Sequence, residues 1–398
     1  MTAPSLLIIE TNPIHYHAPV YRAIENKWGV QVKSLYGSDF TLSGYFDRDF
    51  QTRFSLDIDV PSTPDQCTFL SRVSEGGARC FEEVTAKGMR QALSTLKVQA
   101  ILVTGYSPLF HLHAFLNACR AAVPILFRAE TTNFPARNHW RRSTRNLLLR
   151  FLYSKCARLL PIGKRSYSHY LQLGCPAQKL VLSPYCVDTK PFRCDETARQ
   201  DLRSVTRAAL GVSSDSLVLL FSGKLINHKR PLMILEAVRM LPETLRQRIT
   251  VAYLGNGPEL DSILKFSNLA PSVNTVCIGF KGQSELSPYY HAADLFVLPS
   301  KSETWGLVVN EALHHGVPCV VTDTVGCALD LVQSGVTGEI AAGSPESLAQ
   351  TIQRALPLTG NSSVRAQCRS LVSNYTVEHA ADGIFRGFQE ATASRLAG

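Results

Sequence analysis

The chain has 398 residues, 45% of them apolar and only 18% charged. At roughly 100–200 residues per domain this suggests two or three domains with buried cores, and it excludes an intrinsically disordered chain. No run of ~18 apolar residues marks a spanning helix. The first thirty residues lack the pattern of basic start, apolar run and small-residue cleavage site, so a cytoplasmic location is expected.

Charge is uneven. Lys and Arg outnumber Asp and Glu by 41 to 32, a net +9. Nine basic residues and no acidic one fall between Arg137 and Arg165. Such an excess suits nucleic acid, anionic membrane or phosphorylated substrates without choosing among them. The eleven cysteines include no C-x-x-C pair. Cys67, Cys119, Cys156 and Cys277 sit among apolar neighbours, so they read as reduced, buried thiols and not as disulfides or zinc ligands.

Short apolar runs alternate with amphipathic segments along the chain. In the first half strands are predicted at Leu6–Glu10, Val30–Tyr36, Ala100–Gly105, Pro124–Glu130 and Leu159–Gly163. A joint follows near residue 188, where Ser183-Pro184-Tyr185-Cys186-Val187-Asp188 leads into a polar stretch from Lys190 to Arg207. The second half repeats the plan with strands at Leu217–Gly223, Thr250–Gly255, Thr275–Gly279, Leu295–Pro299, Cys319–Thr322 and Gly338–Ala341. This alternation predicts an α/β chain of two doubly wound parallel sheets, residues 1–188 and 189–382, facing a central cleft.

The strongest local signal runs from Pro299 to Gly316. A buried strand ends at Pro299, a polar loop follows, and a helix is predicted from about Trp305 to His315, capped by Ser302 or Thr304 and stopped by Gly316 and Pro318. Glu303 then stands at the helix mouth and Glu311 inside the helix. Free N–H groups of Trp305, Gly306 and Leu307 favour an anion, and the two carboxylates suit sugar and ribose hydroxyls. A second signal, Phe221 to Pro231, places Gly223, Lys224 and Lys229 at a strand's carboxyl end, where ammonium groups meet phosphate. Turns at Gly255–Gly257 and Gly279–Lys281 are weaker signals. After the first strand, His15 and His17 stand in a loop; His111, His113, His314 and His315 read as surface or helix-end residues. The i, i+2 spacing of His15 and His17 argues against a metal pair.

These residues resemble glycosyltransferase family 4 of the retaining GT-B glycosyltransferases. Glu303 to Glu311 is similar to its E-x7-E motif, Phe221–Leu225 with Lys229 to F-x-G-R-L…K, Pro184–Asp188 with Phe192 to P-N-G-V-D…F, and Ala292–Ser300 to A-D-x-x-x-x-P-S. The resemblance covers the second half in order and the first half loosely. It implies a retaining, metal-independent transfer from a nucleotide-diphosphate sugar, a co-substrate in place of any cofactor. Glu303, Lys224, Lys229 and Glu130 would be catalytic. Glu311, Thr304, Trp305, Gly306, Leu307, Gly223, Gly255 and Lys281 would hold the donor. His15, His17, Tyr106 and Arg128 would meet the acceptor, a glycan or lipid-linked molecule. A terminal helix, about 383–398, would pack back onto the first domain. The chain departs from the pattern at Lys224, where Arg is usual, at Pro13-Ile14-His15 in place of a Gly-Gly pair, at Glu130 in place of His, and at Gly326-Cys327 with Asp330.

His139 to Leu159 is predicted as a helix with a Leu148, Leu152, Cys156, Leu159 stripe. It reads either as a solvated surface helix or as a face for anionic lipid at the inner side of a membrane. Two other functions stand beside the transferase: a sugar-nucleotide epimerase on the same plan, and a non-catalytic anion- or nucleic-acid-binding protein. Few aromatics interleave the basic stretch, which weakens the nucleic-acid reading.

Overall fold

A computed structural model of the chain describes all residues except 1–2, 48–51, 55–59, 61–65, 108, 132–138, 214 and 397–398. The chain divides into two units. One holds Met1–Phe46, Arg53–Cys186 and Thr376–Gly398; the other holds Asp47–Thr52 and Val187–Tyr375.

In the first unit the strands are β1 (Ser5–Glu10), β2 (Gln31–Tyr36), β5 (Cys67–Phe69), β6 (Ala100–Val103), β7 (Ile125–Phe127) and β8 (Arg158–Leu159); β3 (Tyr45–Asp47) and β4 (Thr52–Phe54) form a small separate sheet in which Asp47 and Thr52 belong to the second unit. The six form one sheet in the order β5-β2-β1-β6-β7-β8, every pairing parallel. Along β1 the side chains alternate between two cores: Leu7 and Ile9 enter one, Leu6 and Ile8 the other. That is the two-residue period of a strand covered on both faces, and it explains why β1 reads as a continuous apolar run. Each such side chain contributes ~1.5–3 kcal/mol by leaving water.

The last helix, Val377–Leu396, belongs to this unit. Its Ala380, Ala381, Ile384, Phe388 and Ala391 are buried in the second of these cores, and Phe385 stacks on Trp28 with centroids 4.3 Å apart. Small residues let it lie close: a Cβ on Gly383 would stand 2.2 Å from the Leu182 carbonyl oxygen.

The second unit repeats the plan with β9 (Leu217–Ser222), β10 (Ile249–Leu254), β11 (Asn274–Gly279), β12 (Leu295–Leu298), β13 (Cys319–Thr322) and β14 (Gly338–Ala341), ordered β11-β10-β9-β12-β13-β14 and again all parallel. Leu220 pairs with Ala252 on one side and Phe296 on the other. Both sheets thus have a switch point, between β1 and β6 and between β9 and β12, where loops diverge at the carboxyl ends.

Several expectations are corrected. Helix His139–Lys155 ends before β8, so Leu159 belongs to a strand; the buried stripe is Leu149, Leu152, Tyr153 and Cys156, and Leu148 is 44% exposed. Arg137 lies outside the described residues. Arg158 is spent on Glu390, 2.7 Å away. All eleven cysteines are free thiols, and Cys67 and Cys156 are buried, but Cys119 and Cys277 are exposed. Cys277 stands on the edge strand β11, which has only one neighbour. His111 and His315 are buried, not surface residues. His315 stacks on Tyr290 at 4.9 Å and hydrogen-bonds with Ser287, so a helix-end position became a packing position. The polar stretch after the joint contains a helix, Glu196–Ala209, capped by Asp195, whose carboxylate accepts from Ala198 N.

Candidate functional site

The site builds up at the switch point of the second sheet. The loop after β9 turns at Gly223 and closes as a short 3-10 turn, Asn227–Lys229. The loop after β12 crosses it, and Lys301 N donates to the His228 carbonyl at 2.7 Å. This crossing brings Lys229 to Glu303: Nζ donates to Oε2 at 2.8 Å, with both side chains about one-sixth exposed (15% and 16%). Ser300 Oγ lies 3.4 Å from the same carboxylate. Lys229 also lies over Gly223, where a Cβ would come 3.7 Å from its Nζ.

Glu303 does not enter the helix. It forms a parallel bridge with Val325, its carbonyl accepts from Gly326 N, and the Trp305 carbonyl accepts from Cys327 N. A Cβ on Gly326 would sit 2.0 Å from the Thr304 carbonyl oxygen, so this bridge requires glycine there. These contacts hold residues 303–305 outside the helix, which starts later than expected, at Leu307, running to His314. Its N-cap is Gly306 at φ +102°, with no side-chain cap bond. Neither Ser302 nor Thr304 caps it. Val309 N donates to the Gly306 carbonyl at 2.9 Å, and a left-handed N-cap with no competing side chain leaves the Leu307 and Val308 N–H groups facing the helix mouth. The indole of Trp305 is buried and donates to Asn310 at 2.9 Å, so Trp305 offers the site backbone only.

Glu311 is one face of the helix further in. Tyr290, fully buried, donates its hydroxyl to Glu311 Oε2 at 2.7 Å. Burial raises the Glu311 carboxyl to about 7, while the Tyr290 hydrogen bond and the charge of Lys229 pull it down. Lys229 therefore acts on both glutamates. Sequence reasoning missed Tyr290, because its role depends on packing and not on a motif. Lys224 departs from the group: its ammonium is paired with Asp47, Nζ to Oδ2 at 2.9 Å. Gly255 ends β10 so close to the neighbouring loop that a Cβ would lie 1.9 Å from the Gly223 carbonyl oxygen. Lys281, beyond β11, lies 3.7 Å from Glu285. Strands sit ~4.8 Å apart, so the Lys281, Gly255, Gly223 and Glu303 loops succeed one another along the carboxyl edge.

In the first unit the expected acceptor residues separate by burial. His15 is exposed and Tyr106 half-buried. His17 is 4% exposed, its Nδ1 lying 2.7 Å from Oε1 of buried Glu10, which also accepts from Tyr21 at 2.5 Å. His17 thus anchors the first helix to β1, and Glu10 was read only as a strand end. Arg128 is also buried. It donates to Ser183 Oγ at 2.9 Å and the Pro184 carbonyl at 3.0 Å, and covers the Tyr185 ring at 4.7 Å. Glu130 is exposed; Tyr16 and Tyr185 hydrogen-bond with it, and burial together with its charge pushes both hydroxyls up.

Among the described residues no group of three or more His, Cys, Asp or Glu is arranged to hold a metal ion, and no helix is long and apolar enough to cross a membrane.

Two Rossmann-like units of this strand order, one carrying an acid–ammonium pair and a bare helix mouth at its switch point, define a GT-B fold. Residues 203–370, most of the second unit, match the family model of Glycosyl transferases group 1. Among curated relatives, the lipopolysaccharide 1,2-N-acetylglucosaminetransferase of Salmonella typhimurium is 30% identical over 200 residues, covering 47% of this chain and 52% of that protein. The D-inositol 3-phosphate glycosyltransferase of Streptomyces griseus is 35% identical over 163 residues, covering 38% of this chain and 34% of its own. The matches thus span about half the length of these relatives or less. The crystal structure of Anabaena HepE in complex with UDP and glucose superposes with a TM-score of 0.66 at 15% identity, covering 96% of this chain and 98% of that one; at that identity it speaks for the fold.

Proposed function

We propose that the chain is a glycosyltransferase moving a sugar from a nucleotide-diphosphate sugar to a hydroxyl acceptor, with retention at the anomeric carbon and without a divalent metal. The observation that carries this is the Lys229–Glu303 pair, 2.8 Å apart over Gly223 at the switch point, with Glu311 within reach of the same lysine charge. In the step itself the bond from the sugar's anomeric carbon to the diphosphate oxygen breaks and the acceptor oxygen bonds that carbon on the same face. The acceptor proton leaves with the departing diphosphate.

Negative charge grows on the leaving diphosphate, so groups aimed there before reaction contribute most. Lys229 supplies one positive charge, held in place by Glu303 until the donor arrives. The first-turn N–H groups after Gly306 supply partial charges. Lys224 adds a second cation on leaving Asp47. Glu303 then accepts from a sugar hydroxyl and Glu311 from the ribose, while Gly255 and the Lys281 backbone face the base. Since HepE is described with UDP, a uridine diphosphate sugar is the donor to test first. The names of the curated relatives favour a polyhydroxylated acceptor, in polysaccharide or glycolipid biosynthesis, with Glu130, His15 and Tyr106 on its side.

A peripheral membrane role rests on the helix His139–Lys155, where Trp140 is 81%, Leu147 71% and Phe151 52% exposed beside exposed Arg142 and Arg150.

The test is a panel of nucleotide sugars screened by thermal shift, followed by product analysis with a glycan acceptor panel. A donor that binds the native state raises the melting temperature, and NMR of the product reads the anomeric configuration. Turnover of the donor with no acceptor would identify an epimerase instead. Oligonucleotide affinity that falls steeply with salt and survives Glu303→Ala would identify the non-catalytic reading.

A further inference from the structure

The helix Glu196–Ala209 carries Arg199, Arg203 and Arg207 at four-residue intervals, which places them on one face. With Arg365 from the helix Ser362–Val372 they line a cavity of about 530 Å³. This size falls within the ~300–1,000 Å³ of small-molecule sites. The cavity is at the opposite rim of the sheet from the donor loops. Arg207 donates to carbonyls of Ser213 and Ser216, just before β9, and Arg203 and Arg207 pair with Asp294, just before β12. The six residues of β9, at ~3.3 Å each, separate the two ends by about 20 Å.

The charges here do not balance. Asp294 takes Arg203 and Arg207 at 2.6 and 3.1 Å; Glu196 takes Arg365 and Arg369 at 2.9 and 2.7 Å. Arg199 is a fifth guanidinium with no carboxylate in bonding range among the described residues; its one hydrogen bond goes to the His291 carbonyl at 3.2 Å. Burial first, then repulsion from Arg203 and Arg365, pushes it down to about 10. Arg203 and Arg207 spend their donors on the carbonyls of residues 291–293, 213 and 216 and on Asp294, so they are wall. Arg199 has five N–H donors and uses one.

We propose that this cavity is a second anion site, separate from the donor site, which takes a phosphate-bearing small molecule with Arg199 as its principal ligand. The planar fork of a guanidinium matches two oxygens of a phosphate group, and the uncompensated charge is offset when a dianion enters. The volume leaves room for a sugar-sized body behind the phosphate.

The test is calorimetric titration of the full chain with inorganic phosphate and, separately, with a hexose 6-phosphate. Saturable binding that Arg199→Ala weakens at least tenfold, and that Lys229→Ala leaves intact, supports the site. Tighter binding of the hexose phosphate identifies a phosphorylated sugar as the occupant; equal binding identifies the bare oxyanion. Ser204→Glu places a carboxylate in the wall without removing a hydrogen bond, and it should abolish binding in a protein that still melts cooperatively. Binding that survives both cavity substitutions, binding lost with Lys229→Ala, or no saturable binding of either probe overturns the proposal.

Discussion

Glu311→Gln tests the electrostatics of the donor loops. The carboxyl is raised by burial from 4.5 to about 7. Its folded value lies above its unfolded one, so the native state binds the proton more tightly. The associated stability is complete below pH 4.5 and is lost as pH rises through about 7. At ~1.36 kcal/mol per pH unit, a rise from 4.5 to about 7 costs the native protein about 3 kcal/mol at pH 8. Glutamine keeps an oxygen to accept the Tyr290 hydroxyl and carries no charge. The variant should therefore match wild type near pH 4 and be the more stable at pH 8, by roughly 6–12 °C if one kcal/mol moves a domain of this size by ~2–4 °C. Calorimetry of both proteins from pH 4 to 8, following the transition of the second unit, reads the difference. A gap that does not change with pH, or a wild type that is the more stable at pH 8, refutes the assignment of a desolvated carboxyl at this position.

Lys229→Ala and Glu303→Ala should each lower transfer at least ~100-fold, the size associated with removing one charge-stabilising group, with kcat falling more than KM rises; near-normal rates in both would sink the proposed site. On the proposed reading, in which the lysine and helix-mouth charges take the diphosphate, transfer should persist in EDTA; strict metal dependence, measured by restoring activity with Mg²⁺ or Mn²⁺, would count against that account. Gly255→Ala should fail to fold or melt far lower, because the added carbon would lie 1.9 Å from a backbone oxygen; an unchanged melting temperature would show that the two loops part more easily than this contact implies.

The alternation of apolar runs with amphipathic segments was enough to read both sheets, since fully buried parallel strands such as Leu217–Ser222 are apolar without interruption. The order of strands within each sheet is not written in such runs; it follows from how the crossovers pack. The short β5 and the β3–β4 pair were missed because Cys67–Phe69, Tyr45–Asp47 and Thr52–Phe54 mix polar with apolar residues and make no continuous apolar run. At the site, the spacing of Glu303 and Glu311 and the glycines of the two loops were legible, because both lie in short continuous stretches and glycine marks close backbone approach. Which lysine meets which acid was not. Lys224 and Lys229 look alike in sequence, yet one pairs with Asp47 and the other with Glu303.

By itself, then, the sequence determined the class of fold, the two-part plan and the glycine-bearing loops at the carboxyl ends of the strands, all of which depend on local pattern. Tertiary structure alone decided the start of the helix at Leu307, which the bridge from residues 303–305 to 325–327 delays, and the pairing of Glu311 with Tyr290. It also decided that Arg365 meets the Arg199, Arg203 and Arg207 face around one cavity. Each of these depends on side chains far apart in the chain sharing one small volume, where desolvation and charge, not spacing, set what a residue does.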